Sequence, residues 1–332
     1  MKLLLPFIFA PLAAFAAADA PAVFDMKIER LAPELDALIA PNTRVEKVAE
    51  GFHWSEGPVW KDGALYFSDV PENKLYRWQP GDAAAKVFLQ PSGGMEATPA
   101  FQEPGSNGLT LDGKGRLVLC QQGMRRVARL EPDGTQVPLV SAFEGKHFNS
   151  PNDVVFARSG DLYFTDPPYG LKGLNDSPLK ELKLNGVFRV KPSGEVTLLI
   201  DDLTFPNGLA FSPDEKTFYV GVSDPKAAKI YAFDVKADGT LANRRVFFDA
   251  TPLVSPDRKG LPDGMKVDAR GNVWSAGPGG VLVLSPAGKH LGTILTHQPT
   301  GNCAWADDGS TLYITANMFI ACVKTLVKGA GW

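Results

Sequence analysis

The architecture of this chain shows first in the stretch SEGPVWKDGALYFSD, which covers residues 55–69. A polar residue, Glu56, precedes alternating apolar residues, a turn at Asp62-Gly63 and a second apolar run that starts at Leu65. Alternation with a period of two on both sides of an Asp-Gly turn is typical of a β-hairpin. The stretch therefore predicts two antiparallel strands joined by a tight turn.

This pattern occurs six times along the chain. The other five copies begin at Ser106, Ser150, Phe205, Leu261 and Thr300. Their second apolar runs start 39 to 56 residues apart, which brackets the roughly 40 to 50 residues of a propeller blade. A further strand candidate follows most hairpins, for example at residues 74–78 and 229–233. The sequence therefore predicts an all-β fold, a six-bladed β-propeller spanning residues 45–332.

The residues before the first hairpin divide into three parts. Residues 1–20 combine Lys2, an apolar run and small residues suited to cleavage, as in a secretory signal peptide. Prolines interrupt the run, which is shorter than the ~20 residues that span a bilayer. We therefore expect cleavage, no membrane partner afterwards, and a periplasmic or secreted protein. Residues 21–44 are predicted as an N-terminal extension with a short helix at 33–39, and residues 45–54 as a strand that completes the last blade.

Composition excludes one class of partner. The 332 residues carry a formal net charge of -3 at pH 7, and no cluster of lysines and arginines provides a surface for phosphate backbones. Nucleic acid is therefore not an expected partner. The oligomeric state is not indicated by the sequence.

Three cysteines, Cys120, Cys303 and Cys322, are an odd number for an exported protein, so at most one disulfide can form within the chain. None lies in a Cys-x-x-Cys motif of the kind that binds zinc. We expect them to be small buried hydrophobic residues with no catalytic part.

One polar residue opens each hairpin, nine to eleven residues before the second run. These residues are Glu56, Asn107, Asn152, Asn207, Asp263 and Asn302. The innermost strands of a propeller line its channel, so equivalent positions form a ring around the axis. Side-chain oxygens suit a hard cation such as Ca²⁺ or Mg²⁺. We call these six residues the axial ring, and we predict a central metal site within it.

A simpler explanation applies to single members of the ring. Asn and Asp followed by Gly often begin strands by capping turns, and this accounts for Asn107 and Asn207 taken alone. It does not account for two carboxylates at the axis, because clustered acids need a cation or a base nearby. The ring as a whole therefore favours a metal.

The chain resembles the senescence marker protein (regucalcin), gluconolactonase and luciferin-regenerating family, specifically its bacterial gluconolactonase branch. The resemblance covers roughly residues 45–325 and depends on five motifs in order. They are SEGPVW from Ser55, NSPND from Asn149, TDPPYG from Thr165, FPNGL from Phe205 and LPDGM from Leu261. The family implies a six-bladed propeller that hydrolyses sugar lactones such as gluconolactone, with one divalent cation on the axis.

The resemblance also implies roles for particular residues. Glu56, Asn207 and Asp263 match the metal ligands, and Asp263 matches the catalytic acid/base. Asn152 matches an Asn that touches substrate and lies near the metal. Asn107 and Asn302 are expected to line the pocket. The chain departs from the animal members at Ser150, where they have an Arg that helps to hold the sugar, so the identity of the lactone stays open.

Lactone hydrolysis passes through an oxyanion that a cation stabilises, and it needs a base for the attacking water. Asp263 is the predicted base, but a bound cation would lower its basicity. Asp153, or water activated at the metal, is the alternative. Tyr169 and Asp153 are further substrate-binding candidates. Ca²⁺ is the favoured ion, although Mg²⁺, Mn²⁺, Fe²⁺ and Zn²⁺ also bind such ligands.

Two other functions fit the same pattern. One is a broader lactonase, esterase or phosphotriesterase of this fold, since its substrates would use the same metal site. The other is a non-catalytic propeller that binds a ligand, because a fold alone does not establish an activity. No Gly-x-Ser-x-Gly motif indicates a serine nucleophile.

Overall fold

The computed structural model describes residues 25–306 and 308–331. Within these residues, six antiparallel sheets of four or five strands follow one another along the chain. The innermost strands contact each other in sequence order, and that of the sixth sheet contacts that of the first. The predicted all-β, six-bladed propeller is therefore confirmed.

We number the sheets as blades 1 to 6 in chain order and give each from the axis outward. Blade 1 contains Ser55–Lys61, Ala64–Asp69, Lys74–Trp78 and Lys86–Leu89. Blade 2 contains Ser106–Leu111, Leu117–Gln121, Arg126–Leu130 and Gln136–Val140. Blade 3 contains Val154–Phe156, Leu162–Asp166, Gly186–Val190 and Val196–Ile200. Blade 4 contains Pro206–Phe211, Thr217–Val222, Lys229–Val235 and Leu241–Asp249.

The last two blades each include a strand from the start of the described chain. Blade 5 contains Met265–Val267, Val273–Gly277, Gly280–Leu284, His290–Leu295 and, outermost, Lys27–Arg30. Blade 6 contains Asn302–Ala306, Thr311–Ala316, Phe319–Lys324 and, outermost, Val45–Glu50. The remaining elements are a hairpin, Ala142–Phe143 with Lys146–His147, and 3₁₀ helices at Pro33–Ala37, Leu174–Asp176 and Thr251–Leu253.

The ring is closed by pairing between the two ends of the chain. Val45–Glu50 runs antiparallel to Phe319–Lys324 and completes blade 6, as the position of this segment before the first hairpin predicts. Because blade 6 contains strands from both ends of the chain, hydrogen bonds between these strands close the ring of blades.

The described part of the segment predicted as an extension, residues 25–44 of 21–44, also joins the propeller. Lys27–Arg30 pairs with His290–Leu295 and gives blade 5 its fifth strand. Glu29 accepts two hydrogen bonds of 3.0 Å from Arg258, which fix this strand to a loop of the same blade. Four residues are too few for a readable alternation, and the sequence did not reveal this strand.

Two expectations concern the beginning of the chain. The predicted signal peptide, residues 1–20, lies outside the described residues. The predicted short helix at 33–39 is a 3₁₀ helix, Pro33–Ala37, with Leu35 fully buried against blade 5. No helix in the described part of the chain has the length and apolar character to cross a bilayer.

The core lies between adjacent blades. Trp60 of blade 1 stacks on Tyr313 of blade 6, with ring centroids 5.7 Å apart, and Trp274 of blade 5 meets Trp305 of blade 6 edge-on at 5.4 Å. Cys120 and Cys303 are buried thiols, which is the role expected of them, whereas Cys322 is only half-buried, so the expectation of burial is wrong for it. The aromatic packing holds the blades at fixed positions around the axis.

Candidate functional site

The axial ring gathers at one end of the central channel. Each of its six residues lies within, or two residues before, the innermost strand of its blade. Asp263 is half-buried and the other five are buried. Asn107 and Asn152 are fixed through their backbone carbonyl oxygens, which accept hydrogen bonds from Ser68 Oγ (2.9 Å) and Gly108 N (2.7 Å). The structure therefore brings together all six residues that the repeats align.

The glycines that follow ring residues are required by close approach of the next blade. A Cβ atom on Gly57 would lie 2.2 Å from the carbonyl oxygen of Asn107, and one on Gly108 would lie 2.6 Å from that of Asn152. A Cβ atom on Gly264 would lie 1.9 Å from Cγ of Asn302. These distances are far below van der Waals contact. The turn-capping explanation for the Asn-Gly pairs is therefore insufficient, because the glycine of each pair makes room for a neighbouring ring residue.

Local irregularities of the inner strands direct ring side chains. The pairing register of blade 1 shifts between Glu56 and Val59, and the same shift follows Ser106 in blade 2 and Pro206 in blade 4. Such bulges turn a side chain out of the normal alternation and are frequent next to active sites. Here they occur at the ring residues themselves.

Four side chains of the site share one arrangement. In each, a side-chain oxygen accepts a hydrogen bond from the backbone N–H of the next residue, at 2.7 Å for Glu56 and 2.9 Å for Asp153, Asp263 and Asn302. The bond holds one oxygen and fixes the direction of the group. Because a carboxylate has two oxygens, Glu56, Asp153 and Asp263 each keep a second oxygen for another partner.

The carboxylates of the site are electrostatically costly. Burial, with a smaller contribution from the charge of Asp153, raises the pKa of Glu56 to about 8. Burial also raises the pKa of Asp263 well above its ordinary value, and the charges of Glu56 and Asp153 add to this effect. Burial raises the pKa of Asp153 too. The pKa values are raised because no opposite charge fully compensates these carboxylates. Ionisable groups with strongly shifted pKa values are frequent at functional sites.

Lys266, which the sequence analysis missed, partly compensates these charges. Its Nζ donates a 3.1 Å hydrogen bond to Asn302 Oδ1, and its charge lowers the pKa of both Glu56 and Asp153, as does hydrogen bonding from Asn302. Asn302 therefore connects the lysine to two carboxylates rather than only lining the pocket. The available signal was a charged residue between Met265 and Val267 in an inner strand that is otherwise buried.

Asn207 and Tyr169 meet on the blade 4 side of the ring. Asn207 Nδ2 donates to Ser223 Oγ at 2.9 Å, while its Oδ1 is buried without a hydrogen-bond partner among the described residues. The Tyr169 hydroxyl is likewise buried, and it lies beside Ser223 and Asn207 without a well-formed hydrogen bond to either. Burial, followed by the charge of Asp263, raises the pKa of this hydroxyl, so it lies near the ring. Two buried polar atoms near the ring thus lack a well-formed hydrogen bond within the described residues.

Ser150 explains how Tyr169 reaches the ring. The serine is fully buried, its Oγ donates to the carbonyl oxygen of Pro167 at 2.6 Å, and it accepts from the N–H of Gly170 at 2.9 Å. These bonds fix both sides of the loop that carries Tyr169, whose ring stacks on Phe205 with centroids 5.7 Å apart. At the position where animal relatives have a sugar-holding Arg, this chain has a residue that shapes a loop.

Residues present at the ring fit a hard divalent cation. No group of three or more His, Cys, Asp or Glu side chains in the described chain is arranged to hold a metal, so a cation here needs amide oxygens as well as carboxylates. Glu56 and Asp263 supply buried negative charge, and the unpartnered Oδ1 of Asn207 supplies a neutral oxygen. Oxygen donors of this kind suit Ca²⁺ and Mg²⁺.

Comparison with known proteins shows the family of this chain. Residues 54–318 match the model of the SMP-30/Gluconolactonase/LRE-like region. The chain belongs to this family. The family resemblance deduced from the five motifs is thereby confirmed, and the matched region contains every residue of the axial ring.

Among curated proteins, the chain is 41% identical over 311 residues to a gluconolactonase of Zymomonas mobilis, covering 91% of this chain and 87% of the relative. Among solved structures, it is similar to a gluconolactonase of Xanthomonas campestris, with 33% identity, a TM-score of 0.77, and coverage of 93% of this chain and 98% of the other. A calcium-binding regucalcin of Agrobacterium tumefaciens shares the fold at 21% identity and a TM-score of 0.65, covering 84% of this chain and 92% of the other.

Proposed function

We propose that this protein hydrolyses sugar lactones of the gluconolactone type to aldonic acids, with a divalent cation bound in the axial ring. The observation that carries the proposal is the meeting of Glu56, Asp263 and Asn207 at the channel end, with two carboxylates of raised pKa and one unpartnered amide oxygen. Membership of the gluconolactonase family supports the reaction class.

Glu56, Asn207 and Asp263 would hold the cation, with Asn152 as a further ligand or as a substrate contact. A cation bound there supplies Lewis-acid stabilisation of the oxyanion that forms during ester hydrolysis. Ca²⁺ is the favoured ion because all the donors are oxygens. The proposal is supported by the electrostatics of the ring, because a divalent charge would relieve the repulsion between Glu56 and Asp263.

The remaining residues would bind and orient the substrate. A sugar lactone carries several hydroxyl groups, and the hydroxyl of Tyr169 and the amides of Asn107 and Asn152 offer donors and acceptors for them. Asn302 is already engaged by Lys266, so its part is to position charge rather than to contact the sugar. Asp153 lies near the same lysine and has one fully buried oxygen, which makes it a weak candidate for substrate contact.

The test is acid release from gluconolactone and xylonolactone at constant pH. We expect hydrolysis by the purified protein, loss of hydrolysis with chelator, and recovery when Ca²⁺, Mg²⁺, Mn²⁺, Fe²⁺ or Zn²⁺ is restored singly. Binding of each ion to the chelated protein is measured by calorimetry. Hydrolysis that chelator does not affect would contradict the metal, and absence of hydrolysis of any lactone or ester would favour a non-catalytic ligand-binding propeller.

We also propose that residues 1–20 direct export. The support is the sequence pattern of a charged residue, an apolar run and small residues. Cell fractionation and N-terminal sequencing of the mature protein test it. A cytoplasmic protein that retains Met1 would contradict the proposal.

A further inference from the structure

Ser223 lies between two of the residues proposed to bind the cation. It directly follows the second strand of blade 4, Thr217–Val222. Its N–H donates to the carbonyl oxygen of Phe205 at 3.0 Å and so extends the pairing with the inner strand by one residue. The backbone of Ser223 is thus fixed at the polar end of blade 4, beside the start of the strand that contains Asn207.

The side chain of Ser223 makes one hydrogen bond towards each of these two residues. Its Oγ donates to the carbonyl oxygen of Pro262 at 2.6 Å and accepts from Asn207 Nδ2 at 2.9 Å. Pro262 directly precedes Asp263 in the segment that leads into blade 5. One hydroxyl group therefore connects a side chain of blade 4 with the backbone at the start of blade 5.

The two bonds determine the orientation of the Asn207 amide. A serine hydroxyl has one hydrogen to donate, and its oxygen can accept two bonds. A carbonyl oxygen only accepts, so the hydrogen is committed to Pro262 and Ser223 Oγ can only accept from Asn207. Turned over, the amide would place Oδ1 against an oxygen that has no hydrogen left. Ser223 therefore holds Nδ2, and Oδ1 is the amide atom without a partner among the described residues.

The bond to Pro262 also fixes the backbone of Asp263. The peptide unit between these two residues is planar, and both of its polar groups are engaged. Its carbonyl oxygen accepts from Ser223, and its N–H donates to the carbonyl oxygen of Ala276 at 3.2 Å. The backbone of blade 4 comes close at the same point, because a Cβ atom on Gly208 would lie 2.1 Å from the carbonyl oxygen of Asp263. The contacts around Ser223 thus position one residue on each of two blades.

We propose that Ser223 is a positioning residue of the cation site, an inference that rests on the proposed function. Its hydroxyl presents the oxygen of Asn207, rather than the NH₂ group, to the cation and holds the backbone of Asp263 beside it. An amide NH₂ group only donates hydrogen bonds, whereas hard cations bind oxygen, so the orientation decides whether Asn207 is a ligand. Groups that hold metal ligands in place typically contribute about 10–100-fold to metal affinity.

The primary test measures Ca²⁺ binding to the chelated wild type, Ser223→Ala and Ser212→Ala by calorimetry. Ser212 is a matched control, because its Oγ donates to Asp214 Oδ1 at 2.6 Å beyond the opposite end of the same inner strand. Ser223→Ala should weaken Ca²⁺ binding by about 10–100-fold, and Ser212→Ala should leave it within about twofold. Thermal melting of the chelated proteins is the folding control. Equal Ca²⁺ affinity in the wild type and Ser223→Ala would overturn the inference.

Ser223→Thr separates the hydroxyl from packing. Threonine keeps the hydroxyl and suits extended backbone. The Ca²⁺ affinity of Ser223→Thr should therefore lie within about threefold of that of the wild type. A threonine variant that melts like the wild type but binds Ca²⁺ as weakly as Ser223→Ala would overturn the role of the hydroxyl. If the wild type binds another divalent ion more tightly than Ca²⁺, that ion takes its place in all these measurements.

Activity separates a positioning role from a part in the reaction. In Ser223→Ala, the Ca²⁺ concentration for half-maximal hydrolysis of gluconolactone should rise, while kcat at saturating Ca²⁺ should stay within about threefold of wild type. A loss of kcat that excess Ca²⁺ does not restore would contradict positioning. Weaker binding by the variant, with no hydrolysis even by the wild type, would support the inference and overturn the proposed reaction. A wild type that binds no divalent ion would overturn both.

Discussion

The two ends of the central channel are built by the same inner strands and have opposite characters. At the end where these strands begin lie Glu56, Asn207 and Asp263. A few residues further along lie Trp60 and Trp305, which line a cavity of about 570 Å³ with further apolar side chains from all six blades and with Arg158 and Glu215 from turns. The same inner strands build both ends of the channel. The difference in character between the two ends therefore comes from the side chains that stand at each end.

The comparison teaches that available volume does not identify the site of chemistry. The cavity at the apolar end takes its charged lining residues Arg158 and Glu215 from turns, and Lys266 is its one charged residue from an inner strand within the described chain. At the polar end, burial holds carboxylates away from water and changes their protonation. Reactivity in proteins follows such shifted groups rather than empty space. Four substitutions test this difference.

The largest effect is expected for Asp263→Asn at the polar end. The change removes one of two negative charges proposed to bind the cation. We expect kcat/KM for gluconolactone to fall by about 1000-fold or more, because a bound cation contributes several kcal/mol to oxyanion stabilisation. Calorimetry should show weaker ion binding, and thermal melting serves as the folding control. Full turnover of the variant at saturating metal would exclude Asp263 as both ligand and base.

The next effect concerns pH and the metal-free protein. The pKa of Glu56 rises from 4.5 to about 8 on folding, so between these values the folded state keeps a proton that the unfolded chain has lost. The contribution of Glu56 to stability is therefore fully present below about pH 4.5 and is lost as pH rises towards 8. We expect the melting temperature of the chelated wild type to fall over this window, and that of Glu56→Gln to fall less.

Asp166 and Glu103 have pKa values raised to about 7, chiefly by burial, and they contribute to the same slope. The difference between wild type and Glu56→Gln therefore isolates the contribution of Glu56. Added Ca²⁺ should remove most of the slope in the wild type, because binding stabilises the ionised carboxylate. Equal slopes for the two chelated proteins would show that Glu56 is not the strained group.

Lys266→Met tests the junction between the two ends. Methionine keeps an unbranched side chain but removes the charge that faces Glu56 and Asp153. We expect a loss of about 1–3 kcal/mol in the chelated protein at pH 8 and a smaller loss at pH 5, where Glu56 is protonated. Urea unfolding at both pH values measures it. Equal losses at the two pH values would mean that the lysine acts by packing alone.

The sequence predicted the ring because its members repeat at a nearly constant offset from an apolar run. Glu56, Asn207 and Asp263 could be aligned by counting, since the inner strands of a propeller place equivalent residues at equivalent heights. The closing strand Val45–Glu50 followed from its position in the chain order. The sequence could not reveal the fifth strand of blade 5, because Lys27–Arg30 is too short to show alternation.

Residues outside the repeat could not be predicted in the same way. The loop that contains Gln102 is hydrogen-bonded to the loop that carries Tyr169, and loop conformation is not encoded in a periodic pattern. Lys266 was visible as a charged residue in a buried strand, but its link to two carboxylates requires the position of Asn302. The role of Ser150 depends on the path of the loop that contains Pro167 and Gly170.

The smallest effect is expected at the apolar end, for Val155→Thr. Val155 is half-buried in the inner strand of blade 3, lines the apolar cavity and follows Asn152 by three residues. Threonine keeps the branched shape and adds a hydroxyl that the open cavity can hydrate, so the loss of stability should be below about 1 kcal/mol. We expect kcat and KM for gluconolactone to stay within about twofold. A tenfold loss of activity at an unchanged melting temperature would show that the apolar end takes part in the reaction, because a neutral polar change there could act only through the chemistry of the channel.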